Sequence, residues 1–247
     1  MFPYKDENPT YLTPVVTVGL IIVTSMVWIV VQGAGTYPRL AESICSLGAI
    51  PAELLGRLGG TVSIPVGPGM ACEVSPGPSW HTMATSMFLH GGWFHLIGNM
   101  WFLWVFGNNV EDSMGHGRFV LFYLLTGILA AAAQIISSPT SAVPMVGASG
   151  AISGVMGGYL VLYPRVRIHM LVFFGLFVTT VAVPAYFMLL YWAFVQFLSS
   201  LWSLGGEGGG VAFMAHLGGF VAGAALIKLF ARAEYVNRHR RGWVIGY

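Results

Sequence analysis

The sequence predicts an all-α, polytopic membrane protein, and three observations lead to that fold class. Of the 247 residues, 56% are hydrophobic and only 8% are charged, whereas about a quarter of the residues in soluble domains are charged. The apolar residues fall in long runs that suit helices crossing a bilayer. The 33 glycines favour closely packed membrane helices over a barrel, which would show segments of alternating hydrophobicity. We therefore exclude a soluble globular domain and expect one membrane domain over residues 1–247.

Six apolar segments are candidates for membrane spans. The first is longer than the apolar core of a signal peptide and follows no basic stretch, so we expect it to remain as an anchor. The fifth contains Pro184, but each half would hold about 15 residues, too few to cross ~30 Å, and we predict one kinked span. The predicted spans are approximately residues 15–31, 94–110, 119–136, 146–163, 170–198 and 211–230.

The basic residues predict how these spans are oriented, because cytoplasmic loops carry an excess of Lys and Arg. If both termini are cytoplasmic, all but two of the 11 Lys and Arg residues lie on the inner side, the exceptions being Arg39 and Arg57. A seventh span would put the basic C-terminal tail on the wrong side. We therefore expect a multi-pass protein of the cell (inner) membrane, with a long outer loop between the first two spans.

The long outer loop contains both cysteines, Cys45 and Cys72. If the loop is exported to an oxidising compartment they can form a disulfide, and two free thiols are the alternative. The net charge of +2 provides no basic field for nucleic acid, so we expect the lipid bilayer, and no nucleic acid, as a partner. No metal site or other cofactor is expected, because His90 and His95 do not share a helix face and no H-E-x-x-H motif occurs.

Four polar residues lie within the apolar segments, where polar side chains usually serve a function. His95 and Asn99 lie four residues apart in the second predicted span. Ser149 opens the fourth predicted span, and His216 lies in the sixth. A rise of 1.5 Å per residue puts all four roughly 18 to 24 Å from the inner boundary. They therefore share one layer below the outer surface.

Small residues accompany two of these polar side chains on their helix faces. Ser149 is followed at helical spacing by Ser153, and His216 by Gly219 and Gly223. Glycines four residues apart allow two membrane helices to come into backbone contact. If the fourth and sixth spans pack along these faces, the hydroxyl of Ser149 and the ring of His216 come within hydrogen-bond reach. Helix packing alone is the alternative role of each face.

The polar layer contains the residue types that acyl transfer requires. Pro144 predicts that a helix begins close to Ser149, where free backbone amides can bind an oxyanion. His95 and Asn99 can add side-chain donors to the same developing charge. The acidic residues lie in the tails, in the loops or at the inner end of the second span, so the sequence predicts a Ser–His dyad without a third member.

The motifs around these residues resemble those of the rhomboid family of intramembrane serine proteases, over nearly the whole chain. The resemblance comprises HGGWFH at 90–95 with Asn99 four residues on, GASG at 147–150, and AHLGG at 215–219 followed by Gly223, in the family's order. It implies a six-helix rhomboid bundle with a long outer loop between helices 1 and 2.

The resemblance also assigns roles to individual residues. It makes Ser149 the nucleophile and His216 the general base. His95 and Asn99, with the Ser149 amide, would form the oxyanion hole. Members of the family often carry an aromatic residue four positions after the serine, stacked on the catalytic histidine, and this chain has Ser153 there. The residues expected to support the structure are His90, Glu111, Gly150, Gly219 and Gly223.

This resemblance implies an intramembrane serine endopeptidase that cleaves transmembrane protein substrates near the outer face of the membrane. The alternative is a non-catalytic relative that binds transmembrane helices, which the presence of both Ser149 and His216 disfavours. A transporter would have a midplane site and a repeat between its halves, and neither is found. Residues 203–210, with five glycines, could cap the site or form a plain turn. The sequence leaves the substrate and the oligomeric state open.

Overall fold

The computed structural model describes residues 2–67, 70–77, 79–174, 177–204 and 212–245. The N-terminal half contains β1 (Phe2–Asp6), α1 (Val15–Met26) with a π-helical extension (Val27–Val31), α2 (Arg39–Leu47), α3 (Pro51–Leu54), β2 (Val62–Gly67), β3 (Met70–Val74), α4 (Thr82–Thr85), α5 (Trp93–Met114) and α6 (His116–Ser137). The C-terminal half contains α7 (Ser149–Leu162), β4 (Arg167–Phe174), β5 (Phe177–Pro184), α8 (Ala185–Leu204), α9 (Phe213–Phe230) and α10 (Ala233–Ile245). Short 3-10 turns lie at Gly33–Gly35 and Ser86–Phe88.

Helix α7 lies at the centre of the helix packing and contacts α5, α6, α8 and α9. Every residue from Gly150 to Tyr159 is buried. Small residues make this possible on the side of α9, where Gly219 lies against the backbone of Gly150 and Gly223 against that of Gly154. A Cβ atom on either α9 glycine would overlap a carbonyl group of α7. The predicted contact between the small faces of these two helices is therefore present.

Within the described ranges, two helices, His116–Ser137 and Phe213–Phe230, are long and apolar enough to cross a bilayer. They correspond to the third and sixth predicted spans. The apolar helices Val15–Val31, Ser149–Leu162 and Ala185–Leu201 are shorter. Together with α5 they lie in the other four predicted spans, and the crossing of a membrane by these four helices stays a prediction.

The first half of the fifth predicted span, residues 170–198, was wrong. Residues 167–174 and 177–184 pair as the antiparallel strands β4 and β5, and α8 begins only at Ala185. Strand β4 also pairs with β1, so the sheet order is β1-β4-β5. The strands also correct the all-α expectation. The physical reason is that β-branched and aromatic residues dominate this segment and favour a pleated backbone. The burial of β4 also alternates with the period of a strand, with Ile168, Met170 and Val172 buried.

The segment between α1 and α5 has structure of its own. Cys45 in α2 and Cys72 in β3 form a disulfide, with their Cα atoms 5.2 Å apart. The same segment contacts the chain that leads into α7, because Ala49 and Met145 exchange backbone hydrogen bonds of 3.1 and 2.8 Å. Since Met145 lies only four residues before Ser149, this contact helps to fix where α7 begins.

The N-terminal segment and α10 pack together at one end of the helices. The backbone amides of Tyr11 and Leu12 donate to Asp112, near the end of α5, at 2.6 and 3.1 Å. Nδ1 of His239 in α10 lies 3.1 Å from Oδ1 of Asn8. Residues 8–12 and His239 therefore lie near the end of α5, whereas Phe2 packs beside Trp101 in the middle of that helix.

Candidate active site

The turn before α7 brings the chain into position for Ser149. Gly147 has a φ of +129°, a conformation that L side chains rarely adopt. A Cβ at this position would lie 2.8 Å from Nε2 of His95. Glycine therefore allows both the turn and the close approach of the histidine ring. Ser149 is the first residue of α7, so the amides of the first turn have no partner within the helix.

The nucleophile and the base expected from the sequence lie in direct contact. Oγ of Ser149 lies 2.7 Å from Nε2 of His216 in α9. On the far side of the ring, Nδ1 of His216 lies 2.7 Å from Oε1 of Gln196 in α8. Because a carbonyl oxygen only accepts, the ring proton belongs on Nδ1. Nε2 then faces Ser149 as an acceptor, which is the arrangement of a general base.

The two predicted oxyanion donors are near the serine and are oriented to donate. The backbone N–H of Gly91 donates to Nδ1 of His95 at 3.3 Å. The proton of a neutral His95 ring therefore lies on Nε2, the atom that faces Gly147. Asn99 is buried, and within the described part of the chain its Nδ2 has no hydrogen-bond partner. Both side chains have N–H groups available for a ligand.

All four residues line one cavity of about 380 Å³. The rest of its wall is mainly apolar and comes mostly from α5, α7 and α8. A mainly apolar cavity with a few converging polar groups is typical of a ligand or substrate site. The other lining residues are Phe94, Gly98, Phe102, Val146, Ile152, Ser153, Met156, Trp192, Gln196 and Ala212.

One of the side chains predicted to support the structure, His90, contacts a residue that lines this cavity. The His90 ring packs edge-on against His95, with centroids 4.9 Å apart. The backbone of His90 exchanges hydrogen bonds of 2.8 and 2.9 Å with the side chain of Gln32. Burial lowers the pKa of His90 to about 3, so its ring is neutral at pH 7. His90 therefore positions His95 as an uncharged neighbour.

Glu111 supports α1 at the far end of α5. Its fully buried carboxylate accepts the backbone N–H groups of Val16 and Thr17 at 2.9 and 2.8 Å and the Thr17 hydroxyl at 2.7 Å. Nδ1 of His116 lies 2.6 Å from the same carboxylate. Glu111 thus satisfies the free amides at the start of α1.

Sequence reasoning missed the contribution of α8. Gln196 contacts Nδ1 of His216. The Trp192 ring lies beside that of His216, with centroids 6.1 Å apart and planes inclined by 38°. Trp192 supplies an aromatic contact that the family often makes from the position of Ser153. The hydroxyl of Ser153 instead donates to the carbonyl of Ser149 at 2.6 Å. A polar Gln196 within an apolar run was the available signal.

Two further expectations concern metal and the glycine-rich segment. Among the described residues, no three His, Cys, Asp or Glu side chains are grouped as metal ligands would be. The proposed cap over the site, residues 203–210, lies largely outside the described residues, which end at 204 and resume at 212.

Several known proteins are similar to this chain. Rhomboid-like protein 11, chloroplastic, of Arabidopsis thaliana is 42% identical over 77 residues, covering 31% of this chain and 27% of its own length. Rhomboid protease GluP of Bacillus subtilis is 43% identical over 81 residues, covering 33% and 15%. Rhomboid protein 1, mitochondrial, of Saccharomyces cerevisiae is 30% identical over 164 residues, covering 63% and 43%. The chain thus aligns with less than half the length of each of these relatives.

The match to a protein family covers more than these local similarities. The Rhomboid domain matches residues 77–233, which is more than half of the chain and includes α5 to α9. All four residues of the polar layer lie within the matched region. The chain belongs to the rhomboid family, whose members are membrane proteins.

Proposed function

We propose that this protein is an intramembrane serine endopeptidase that hydrolyses peptide bonds in or near transmembrane segments of membrane proteins. The observation that carries the proposal is the 2.7 Å contact between Oγ of Ser149 and Nε2 of His216. The contact lies inside a cavity that His95 and Asn99 also line, and both of these side chains have N–H groups available as donors. A nucleophile, a base and oxyanion donors at one point are the requirements of acyl transfer.

The proposed reaction starts with attack by the serine. Oγ of Ser149 bonds to the carbonyl carbon of the scissile peptide while Nε2 of His216 takes the hydroxyl proton. The carbonyl oxygen becomes an oxyanion that accepts from Asn99, His95 and the first-turn amides of α7. His216 then gives its proton to the leaving amine, and the C–N bond breaks to leave an acyl-enzyme.

Water completes the cycle at the same residues. His216 takes a proton from a water molecule whose oxygen attacks the acyl carbon. The tetrahedral intermediate collapses with loss of Oγ of Ser149, which recovers its proton from His216. A carboxylic acid is released and the dyad is regenerated.

A transmembrane substrate helix must unwind locally before it can react with Ser149. In a helix each carbonyl is hydrogen-bonded within the segment, so Ser149 can reach a carbonyl only where the helix opens. Small or helix-breaking residues near the end of a transmembrane helix favour such opening. We therefore propose substrates with such residues near their outer end. From the placement of the Lys and Arg residues, we also propose that both termini of this chain lie in the cytoplasm.

Labelling by a fluorophosphonate probe tests the dyad without a known substrate. We expect the purified protein in detergent to be labelled, and Ser149→Ala and His216→Ala to lose the label. A control variant, Ser137→Ala, removes a serine whose hydroxyl bonds within its own helix and should keep the label. A folded wild-type protein that takes no label would overturn the proposal and favour a non-catalytic helix-binding protein.

Endopeptidase activity needs a second measurement. The wild-type protein and Ser149→Ala are reconstituted into vesicles with a library of single-span proteins, and the products are identified by mass spectrometry. We expect internal cleavage within or beside the transmembrane segment, and only with the wild-type protein. Release of single terminal residues would identify an exopeptidase instead.

A further inference from the structure

The described part of α8 has no charged residue, and the amide side chain of Gln196 in this helix points at the base. Oε1 of Gln196 lies 2.7 Å from Nδ1 of His216. Gln196 occupies the place that a carboxylate holds in a Ser–His–Asp triad, on the opposite side of the imidazole from the serine. We propose that Gln196 is a positioning residue that holds His216 in the tautomer able to accept the proton of Ser149. This inference rests on the proposed function.

The argument follows from what each atom can donate or accept. A neutral imidazole carries one proton, on Nδ1 or on Nε2. With the proton on Nε2, the unprotonated Nδ1 would face the carbonyl oxygen of Gln196 at 2.7 Å, and two acceptors would repel each other. With the proton on Nδ1, that N–H donates to Gln196 and the lone pair of Nε2 faces the serine. The amide carbonyl therefore selects the reactive tautomer.

The same helix also limits rotation of the imidazole. Trp192 lies one turn before Gln196, and its ring is 6.1 Å from that of His216 and 5.9 Å from that of Phe220 in α9. Phe213 packs edge-on against the His216 ring, with centroids 6.4 Å apart. The ring plane is thus held by aromatic contacts, and Gln196 fixes which nitrogen carries the proton.

An amide differs from a carboxylate in this position. It orients the ring but brings no negative charge to stabilise the imidazolium that forms during attack. Among the described residues that line the cavity, His95 is the other titratable side chain beside His216. The base therefore works without an acidic neighbour, and its orientation depends on Gln196.

The direct test compares Gln196→Met with Gln196→Glu. Methionine has the length of glutamine without a carbonyl, whereas glutamate keeps an acceptor at the same reach. We expect Gln196→Met to lower kcat about 10- to 100-fold, since a misprotonated base cannot take the serine proton. KM should stay within about 2-fold, because Gln196 contributes to the transition state rather than to substrate binding. Gln196→Glu should restore most of kcat.

A matched control separates this effect from a general loss of α8 packing. Phe197→Leu changes the neighbouring residue, which is 44% exposed and does not line the cavity. Its kcat and thermal unfolding should match those of the wild-type protein. A folded Gln196→Met variant with wild-type kcat would overturn the positioning role while leaving the proposed function intact.

The tautomer is also measurable without any turnover. ¹⁵N spectra of histidine-labelled protein, with His216→Ala used for assignment, distinguish a protonated Nδ1 from a protonated Nε2. We expect His216 to be protonated on Nδ1 in the wild-type protein and in mixed tautomers in Gln196→Met. This result in a protein that takes no fluorophosphonate label would support the positioning role while overturning the proposed function. A protonated Nε2 in the wild-type protein would overturn the inference itself.

Discussion

At the scale of single residues, the glycines of α9 determine how closely the base approaches the nucleophile. Gly219 of α9 packs on the carbonyl of Gly150 in α7. Gly150 directly follows Ser149, and Gly219 lies three residues after His216. The distance between α7 and α9 at this level is therefore short because glycine has no side chain. Each added carbon at this contact moves one helix as a whole, because the opposing atoms are backbone rather than a flexible side chain.

Substitution of Gly219 by alanine tests this dependence. We expect Gly219→Ala to lower the free energy of unfolding by about 3 kcal/mol, at the upper end of what overpacking costs. Labelling of Ser149 by the fluorophosphonate probe should fall with it, since α9 moves away from α7. Gly19→Ala is the control, because a Cβ at Gly19 meets nothing within 4 Å. Equal stability of the two variants would contradict the prediction.

A second prediction concerns Asp6, which lies in β1 outside the helices. Its carboxyl accepts hydrogen bonds from Tyr159 at 2.6 Å and from Asn109 at 2.8 Å. Burial raises the pKa of Asp6 from 3.8 to about 6, although the bond from Tyr159 opposes that rise. Because the pKa is higher in the folded protein, the protonated carboxyl favours folding. The stabilisation of the folded protein by the protonated Asp6 carboxyl is complete below about pH 4 and is lost as the pH rises through about 6.

Thermal unfolding in detergent at several pH values measures this contribution against Asp6→Asn, which does not titrate. Between about pH 4 and about pH 7 we expect the wild-type protein to lose up to about 3 kcal/mol relative to the variant. The difference in unfolding temperature should therefore move in favour of Asp6→Asn as the pH rises. A difference that stays constant over this range would show that Asp6 does not titrate as described.

At the scale of secondary-structure elements, α1 depends on a carboxylate from another helix. Glu111 in α5 accepts the first amides of α1, and its side chain is fully buried. Glu111→Ala would leave the amides of Val16 and Thr17 without this partner. We expect a loss of about 3 kcal/mol or more, seen as a lower unfolding temperature and faster proteolysis near α1. Glu42→Ala, which removes an exposed carboxylate of α2, should have little effect.

The helices and the hairpin show how far an apolar sequence predicts its elements. His95, Asn99, Ser149 and His216 could be found because polar residues within apolar runs are rare, and the helical rise gave their depths. Residues 167–184 could not be assigned by apolarity alone, since a buried strand and a buried helix are equally apolar. Their many β-branched residues favour a strand, but the length requirement for a span overrode this signal.

The contribution of Gln196 could not be predicted for a different reason. Its polarity was visible, but its contact with His216 depends on how α8 is rotated and on where α8 begins. Both depend on the tertiary contacts of α8 with α7, α9 and the hairpin. The sequence periodicity of an apolar helix surrounded by apolar neighbours does not determine that rotation. The sequence therefore predicted the dyad and the donors, but it did not predict the contact of Gln196 in α8 with His216.

At the scale of the whole molecule, the disulfide stabilises a segment that contacts the chain before the candidate nucleophile. Cys45 and Cys72 close a loop with a sequence separation of 27, for which chain entropy predicts about 3 to 4 kcal/mol. We expect the Cys45→Ser, Cys72→Ser double variant to unfold at a lower temperature. Its probe labelling should also be slower, because Ala49 supports Met145 in this segment.

Treatment with a reducing agent separates the effect of losing the disulfide from the effect of introducing two serines. Dithiothreitol should lower the unfolding temperature of the wild-type protein to that of the double variant, and should not change the variant. Two thiols in the native wild-type protein that alkylate without prior reduction would contradict the disulfide.

The three-stranded sheet also determines the order in which this chain can be completed during synthesis. Phe2 in β1 pairs with Leu171 in β4, so β1 has no partner in this sheet until β4 has been translated. At about 5 to 20 residues per second, that delay is on the order of ten to thirty seconds. During this time the N-terminal strand is an open edge available to other chains or to a chaperone. Joining β1 to β4 is thus a late step of biogenesis, reached after α1, α5, α6 and α7 have been synthesised.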